Sequence, residues 1–217
     1  GNFNDKKAIK KLVAVSDFLT FEIELADDSI LNEISKTGVV VNPTGETLSI
    51  IKDKLKQKTF LKKHGLPVAD FIPILNKKDV LKATKKFGYP ILLKARFDAY
   101  DGRGNALVKN EKDIDSGLRK LKGRLLYVEK FVPFVKELAV VTARSIKGKV
   151  VAYPVVETIH KNNICHIVIA PAQVENKIIL KAKRIATDAM KKLKGAGVFA
   201  IEMFLTSNGE IIINEIA

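Results

Sequence analysis

Val198-Phe199-Ala200-Ile201-Glu202-Met203-Phe204-Leu205-Thr206-Ser207-Asn208-Gly209-Glu210-Ile211-Ile212-Ile213-Asn214-Glu215 is the stretch that decides how this chain is read. Two apolar, β-rich runs flank an Asn-Gly pair, the strongest short-range signal for a two-residue hairpin turn. With Asn208-Gly209 as that turn, Ser207 lies opposite Glu210, and Glu202 lands directly opposite Glu215. Two carboxylates about 5 Å apart on one face repel by roughly 3 kcal/mol at an effective dielectric of about 20. A divalent cation with oxygen ligands offsets that repulsion, Mg²⁺ above all with Mn²⁺ as a substitute, and it suits phosphate chemistry. The bland alternatives are that one glutamate faces solvent or that a lysine neutralises both. The apolar flanks favour the cation, so Glu202 and Glu215 are the candidate metal ligands.

Working outward from the hairpin, an amphipathic helix is expected over 176–193. Before it, apolar runs at 68–75, 91–95, 106–109, 125–128, 138–146, 150–156 and 164–169 are separated by turns or by single helices near 78–87 and 111–121. Lys147-Gly148 reads as a tight turn between two long strands. Hairpin neighbours of this kind make an α+β domain with largely antiparallel sheets. A helix over 46–64 is closed by Gly65 and Pro67. Upstream the rhythm differs: helix 8–13, buried strand 18–21, a helix N-capped by Asp27 and stopped at Gly38, then strand 39–41. Helix alternating with wholly apolar strand is the pattern of a parallel α/β sheet, and two cycles are too few to close a doubly wound domain. Residues 1–45 are therefore expected to end a larger α/β unit, and 46–217 to form a separate domain.

The 217 residues are 47% hydrophobic and 29% charged, enough for a core and too apolar for a disordered tail. No apolar run reaches the roughly 18 residues of a membrane-spanning helix, and the first residues lack the apolar stretch of a signal peptide. Cys165 is the only cysteine, which excludes an internal disulfide and a cysteine-cluster zinc site. A cytoplasmic protein without a membrane partner is expected. The net charge of +14 invites a nucleic-acid reading. However, only six of the 38 basic residues are arginine, and the lysines fall singly or in pairs at helical spacing. That is the pattern of solvated helix faces, and no nucleic-acid partner is expected. The same scatter argues against a non-catalytic basic binding module. His64 and His166 read as surface or packing residues, and Cys165, within a β-rich run, as a small buried hydrophobe.

Two further segments carry chemistry. Lys94 to Asn105 joins two strands through a loop with two glycines. It lacks the Gly-Lys-Ser/Thr ending of a Walker loop, yet such a loop can close over phosphates with unobstructed backbone amides while Lys94 supplies positive charge. An ordinary surface hairpin is the alternative. Tyr127-Val128-Glu129-Lys130-Phe131-Val132-Pro133-Phe134 runs from a strand into a proline-broken connector, and Glu137 opens the next strand. Backbone groups left out of a ladder there can take up an adenine edge, and the carboxylate a ribose hydroxyl. A plain strand-to-strand link is the alternative.

Lysine, glycine loop, connector and carboxylate pair, in that order, resemble the ATP-grasp superfamily, and within it the N5-carboxyaminoimidazole ribonucleotide synthetase family, the ATPase subunit of phosphoribosylaminoimidazole carboxylase. The likeness rests on Tyr100-Asp101-Gly102-Arg103-Gly104-Asn105, Glu129-Lys130-Phe131-Val132-Pro133-Phe134, Lys136-Glu137-Leu138-Ala139-Val140, Tyr153-Pro154-Val155-Val156-Glu157-Thr158-Ile159-His160 and Asn214-Glu215-Ile216-Ala217, and runs from Phe3 to Ala217. The run from Glu157 to Asn163 is specific to this family. It sets the chain apart from other ATP-grasp ligases such as the formate-dependent glycinamide ribonucleotide transformylase.

The resemblance implies an ATP-grasp fold of two α+β subdomains, a small one at about 66–130 and a large one at about 131–217, preceded by the end of a Rossmann-like domain. It implies ATP- and bicarbonate-dependent carboxylation of 5-aminoimidazole ribonucleotide through carboxyphosphate in de novo purine synthesis, with Mg²⁺, in a homodimer linked functionally to the carboxyaminoimidazole ribonucleotide mutase. Carried across by residue, Lys54 and Lys94 would hold ATP phosphates beneath a loop of Ala99, Tyr100, Asp101, Gly102, Arg103, Gly104 and Asn105. Glu129, Lys130, Phe131 and Val132 would hold adenine and Glu137 the ribose, and His160 would line the nucleotide site. Asn214 would stand beside the metal ligands Glu202 and Glu215. Asp101 and Arg103 are the catalytic candidates, and Tyr100 and Asp101 would contact the imidazole nucleotide. Three departures are visible: the family often has arginine where Lys54 stands, its glycine-rich N-terminal segment is absent, and its Arg-Pro-His-Asn-Ser-Gly-His continuation does not follow Ala217. The chain is thus expected to be a portion of a longer protein.

Overall fold

The computed structural model describes residues 2, 4–99 and 103–217. The chain opens with α1 (Lys6–Val13), β1 (Phe18–Leu19), α2 (Asp28–Ser35) and β2 (Val40–Val41). Asp27 caps α2 by accepting from the Ser29 and Ile30 amides, as its position in the sequence suggests. β1 and β2 pair in parallel, in line with the α/β pattern. The strands are shorter and less buried than expected. Leu19 and Val41 join Ile30, Leu31 and Ile34 in a small core, but Phe18 is 66% and Val40 51% exposed, because a two-stranded sheet covered on one side buries only alternate residues.

The single helix expected over 46–64 is two, α3 (Gly45–Lys52) and α4 (Lys54–Lys63). The break is at Asp53, whose backbone is extended and whose carboxylate caps α4 at Leu55 and Lys56 while pairing with Arg96 at 2.5 Å. An aspartate that gains both a cap and a guanidinium by leaving helical geometry explains the kink.

A four-stranded antiparallel sheet follows, in the order β3-β6-β4-β5. It comprises β3 (Phe71–Ile74), β4 (Ile91–Ala95), β5 (Asn105–Val108) and β6 (Leu126–Lys130), backed by α5 (Lys77–Phe87) and α6 (Asp113–Lys120). Ile91, Leu93, Val108, Val128, Val80 and Ile114 fill its core. Val68, expected in the first strand, instead makes an isolated parallel bridge to Ile213.

The second sheet contains β7 (Phe134–Arg144), β8 (Val150–Ala152), β9 (Val156–Lys161), β10 (Ile164–Ile169), β11 (Gly197–Thr206) and β12 (Ile211–Ile216). Its order is β10-β9-β7-β11-β12, with β8 paired to the far end of β7. The long helix α7 (Asn176–Leu193) lays Ala182, Ala186, Ala189 and Met190 on one face of this sheet, beside Leu138, Val140, Ile201 and Met203. The strand expected over 150–156 is broken: β8 ends before Pro154, which has no amide to give a ladder, and β9 starts after it. β9 then turns into β10 through Asn162 and Asn163, both at positive φ. Among the described residues, no helix is long and apolar enough to cross a membrane.

The terminal hairpin corrects one expectation and fulfils another. Its turn is not Asn208-Gly209 alone: Leu205 pairs with Ile211, and the Thr206 amide donates to the Glu210 carbonyl, so three residues form the loop, with Gly209 at φ +79. Ser207 therefore does not face Glu210. A bulge farther along supplies the compensating residue: Met203 pairs with Ile213 but Glu202 with Glu215, so Asn214 is the extra one. The expected facing of Glu202 and Glu215 results from two offsets that cancel.

Candidate functional site

A cavity of about 610 Å³ lies between the two sheets, within the range of small-molecule sites. The four-stranded sheet contributes Leu92, Lys94, Leu107 and Glu129, and the six-stranded sheet Glu137, His160, Glu202, Asn214 and Glu215. Lys54 enters from α4, and Phe131 from the link between the sheets. Most site residues that the sequence picks out therefore meet in one place.

Lys94 ends up buried because β4 is the interior strand between β6 and β5. Its ammonium lies 3.3 Å from Glu129 and 3.4 Å from the Asn214 side-chain oxygen on the other sheet. Glu129, only 1% exposed, also pairs at 2.8 Å with Lys58 of α4. Burial pushes the Glu129 carboxyl up, but Lys58 and Lys94 prevail and hold it below the usual carboxylate range. Burial likewise opposes charge on Lys94, which Glu129 overcomes, raising its pKa. At Lys58 burial wins and the ammonium is pushed down, against the pull of Glu129. Tyr127, register partner of Lys94, is wholly buried, and burial pushes its phenol up against the pull of Lys94.

The opposite wall has the reverse charge. Glu202 and Glu215 face each other across β11 and β12, and Asn214 and Glu215 both reach the cavity. Burial, and after it the Glu215 carboxylate, raise the pKa of Glu202. Lys54 lies 3.3 Å from Glu215 and 3.3 Å from Glu24. A lysine thus contacts one of the pair, while Glu202 is answered only through space, by His160 and Lys54. Glu24 itself is raised by burial, with Lys54 opposing. Two like-charged carboxylates with a carboxamide oxygen beside them form a hard-oxygen donor set, and their mutual repulsion fits a divalent cation such as Mg²⁺ that keeps most of its positions for phosphate or water. Among the described residues, no group of three or more His, Cys, Asp or Glu forms a metal cluster, so the protein would supply only part of the coordination.

Glu137 and His160 stand 3.3 Å apart on β7 and β9. Burial raises the pKa of Glu137, and His160 opposes it. Phe134 stacks on Phe204 with ring centroids 4.5 Å apart, and both line the cavity. In the connector, Phe131 lines the cavity, whereas Lys130 and Val132 do not. The Lys130 amide is not free for a ligand, since it donates to the Asp70 carbonyl at 2.8 Å. The Glu129 side chain is likewise committed inward, to the two lysines.

In the glycine loop, Ala99 and Asn105 line the cavity, and Arg103 lies exposed. Gly104 is required where it stands: a Cβ there would come within 2.3 Å of the Ala99 Cβ. The sequence candidates Tyr100, Asp101 and Gly102 lie outside the described residues.

The sequence reading missed Gln57, Lys58 and Glu24, and misjudged Cys165. Gln57 is 1% exposed. Its amide donates to the Ile51 and Ile216 carbonyls and accepts from the Ile216 amide. Lys58 donates to the Ile213 carbonyl at 3.1 Å. One face of α4 therefore grips β12 on both sides of Asn214 and Glu215. A polar stripe of Lys54, Gln57 and Lys58, at helical i, i+3, i+4 spacing, was the available signal. Cys165 is not buried: it is exposed on the edge strand β10, opposite His160, and lines the cavity.

A family model described as ATP-grasp domain matches residues 59–217. The phosphoribosylaminoimidazole carboxylase of Ogataea methanolica is 49% identical over 219 residues, which cover 100% of this chain and 40% of that protein. The crystal structure of carboxyaminoimidazole ribonucleotide synthase from Aspergillus clavatus complexed with ATP is 38% identical with a TM-score of 0.95, covering 100% of this chain and 57% of that one. The structure of N5-carboxyaminoimidazole synthase from the same organism, in complex with ADP and 5-aminoimidazole ribonucleotide, is 36% identical with a TM-score of 0.94 and the same coverage, 100% and 57%. The chain thus spans 40% to 57% of the length of these relatives.

Proposed function

The chain belongs to the ATP-grasp family, and on that premise we propose that it forms the nucleotide-binding part of an N5-carboxyaminoimidazole ribonucleotide synthase. The reaction is ATP- and bicarbonate-dependent carboxylation of 5-aminoimidazole ribonucleotide in purine synthesis. The observation that carries this reading is the meeting, in one cavity, of a buried lysine and two facing carboxylates. Relatives named for this reaction, one of them bound to ADP and aminoimidazole ribonucleotide, support it.

In this reading a bicarbonate oxygen attacks the γ-phosphorus of ATP, ADP leaves, and carboxyphosphate forms. The exocyclic amine of the ribonucleotide then attacks the carboxyl carbon, losing its proton as phosphate departs. Phosphoryl transfer asks a protein mainly for positioning and charge stabilisation. Lys94, with Lys54 once it turns from Glu215, would hold the phosphates. Glu202 and Glu215, with Asn214 beside them, would hold Mg²⁺ or Mn²⁺, which when bound neutralises charge on the transferring phosphoryl group. Phe131 and the backbone around it would take adenine, Glu137 the ribose, and His160 would line the site. The loop from Ala99 to Asn105 would cover the phosphates, with Asp101 and Arg103 as catalytic groups and Tyr100 and Asp101 on the imidazole nucleotide.

We divide the chain accordingly into the end of a preceding domain at 1–45 and an ATP-grasp domain at 46–217, its subdomains meeting near 130. A homodimer, a cytoplasmic location and passage of the product to the mutase belong to the same reading. Phosphate release measured with each substrate omitted in turn tests it. Release should require aminoimidazole ribonucleotide together with bicarbonate. Stimulation by formate and glycinamide ribonucleotide instead would move the assignment to the transformylase.

A further inference from the structure

We propose that Lys58 is a positioning residue that keeps Lys94 available to phosphate by taking half of Glu129. This rests on the reading that Lys94 holds nucleotide phosphates. Lys58 is 2% exposed, lies outside the cavity lining, and is fixed by the Ile213 carbonyl at 3.1 Å and Glu129 at 2.8 Å. It cannot touch a ligand, yet it controls a group that does. Glu129 has one oxygen on Lys58 and the other, at 3.3 Å, on Lys94. With Lys58 protonated against the burial that pushes it down, two ammonium groups share one carboxylate, and the group of three keeps an excess of one positive charge. Of its two cations only Lys94 lines the cavity, so the excess is presented there. Asn214, 3.4 Å from the Lys94 ammonium, is neutral and does not cancel it, and Glu215, which acts on Lys94 through space, is paired with Lys54.

Without Lys58, both oxygens of Glu129 would be left to Lys94. A buried carboxylate with a single partner binds it as fully as geometry allows, because an unpaired buried charge is costly. Lys94 would then be neutralised by its neighbour, and an incoming phosphate would have to compete with Glu129 for it. Lys58 therefore acts through charge balance, and its loss should be felt by phosphate-bearing ligands alone.

The test is calorimetric binding of ADP and of adenosine, without divalent cation, to the parent and four variants. Lys58→Met should weaken ADP roughly tenfold or more, the size of a lost charge-assisted contact, and leave adenosine unchanged. Lys58→Met combined with Glu129→Gln restores one excess positive charge and should recover ADP binding. Lys58→Arg keeps the charge on Glu129 and should not weaken ADP, which keeps the proposal open to refutation even if Lys58→Met does not fold. Equal weakening of ADP and adenosine in Lys58→Met, no recovery in the double variant, or ADP weakening in Lys58→Arg would overturn the proposal. Lys94→Met separates the two readings. If it leaves ADP affinity intact, the phosphate role of Lys94 fails and this inference with it. If it abolishes ADP binding while Lys58→Met does not weaken it, only the role of Lys58 fails.

Discussion

The two walls of the cavity solve opposite problems. On the side of the four-stranded sheet, Lys94 and Glu129, with Lys58 of α4 behind them, are almost wholly buried, so each charge needs a partner within contact distance. On the six-stranded sheet, Glu202 and Glu215 are only partly buried and face each other, with Lys54 in contact with Glu215 alone. Under the proposed function the first wall would take an anion and the second a cation. A polyphosphate carrying a divalent ion satisfies both at once, whereas either component alone leaves one wall uncompensated. Burial explains why the first wall is rigidly paired. Partial exposure explains why the second can tolerate carboxylate repulsion, which water screens.

The sharpest way to break this contrast is Glu215→Gln, which removes one side of the carboxylate pair and the Lys54 partner together. ATP turnover should fall roughly 100-fold or more, equivalent to about 2.7 kcal/mol of barrier; steady-state phosphate release measures it, and unchanged turnover would reject the metal role. Next in size is Gln57→Leu, which asks whether the carboxylate wall depends on α4. It strips partners from both backbone groups of Ile216 and from the Ile51 carbonyl, and should cost about 2 kcal/mol in urea denaturation. Glu202→Gln should have a smaller effect of mixed sign. Without metal it relieves repulsion and stabilises the fold by about 1 kcal/mol, while the Mg²⁺ concentration needed for half-maximal nucleotide binding rises. A loss of metal-free stability would contradict the repulsion. The smallest effect belongs to an ion pair outside both walls. The Lys62 hydrogen bond holds the Asp70 carboxyl below the usual range, with burial opposing. Since the folded pKa is the lower one, this stability is present above the unfolded value of about 4 and disappears as pH falls through the folded value. Asp70→Asn should cost at most a few tenths of a kcal/mol at neutral pH, because the pair is exposed. Parent and variant melting curves should converge as pH falls through the folded pKa of Asp70.

The carboxylate wall was the more legible of the two. Its residues sit on a hairpin whose periodicity, apolar flanks and turn chemistry are local, so Glu202 and Glu215 could be paired from sequence, although the loop proved one residue longer and a bulge restored the register. The cation wall was only half legible. Lys94 stands at the end of an apolar strand before a glycine loop, a local cue, but Lys58 and Gln57 belong to a lysine-rich helix that reads like a solvated face. Only contact with β12, 155 and 159 residues away, makes them interior. The break at Asp53 was hidden for the same reason, since its stabilising partner Arg96 is 43 residues distant. Cys165 was misjudged because an edge strand and an interior strand have the same composition.

The bulge at Asn214 changes the density of oxygen donors along β12. In an unbroken strand, side chains return to one face every second residue, about 6.6 Å apart. A residue inserted without a cross-strand partner lets consecutive side chains reach the same space, so the Asn214 amide oxygen and the Glu215 carboxylate both open on the cavity. Excising Asn214 would leave Glu202 and Glu215 facing each other as before, yet the ribbon would offer a bare dicarboxylate, severed from the opposing lysine.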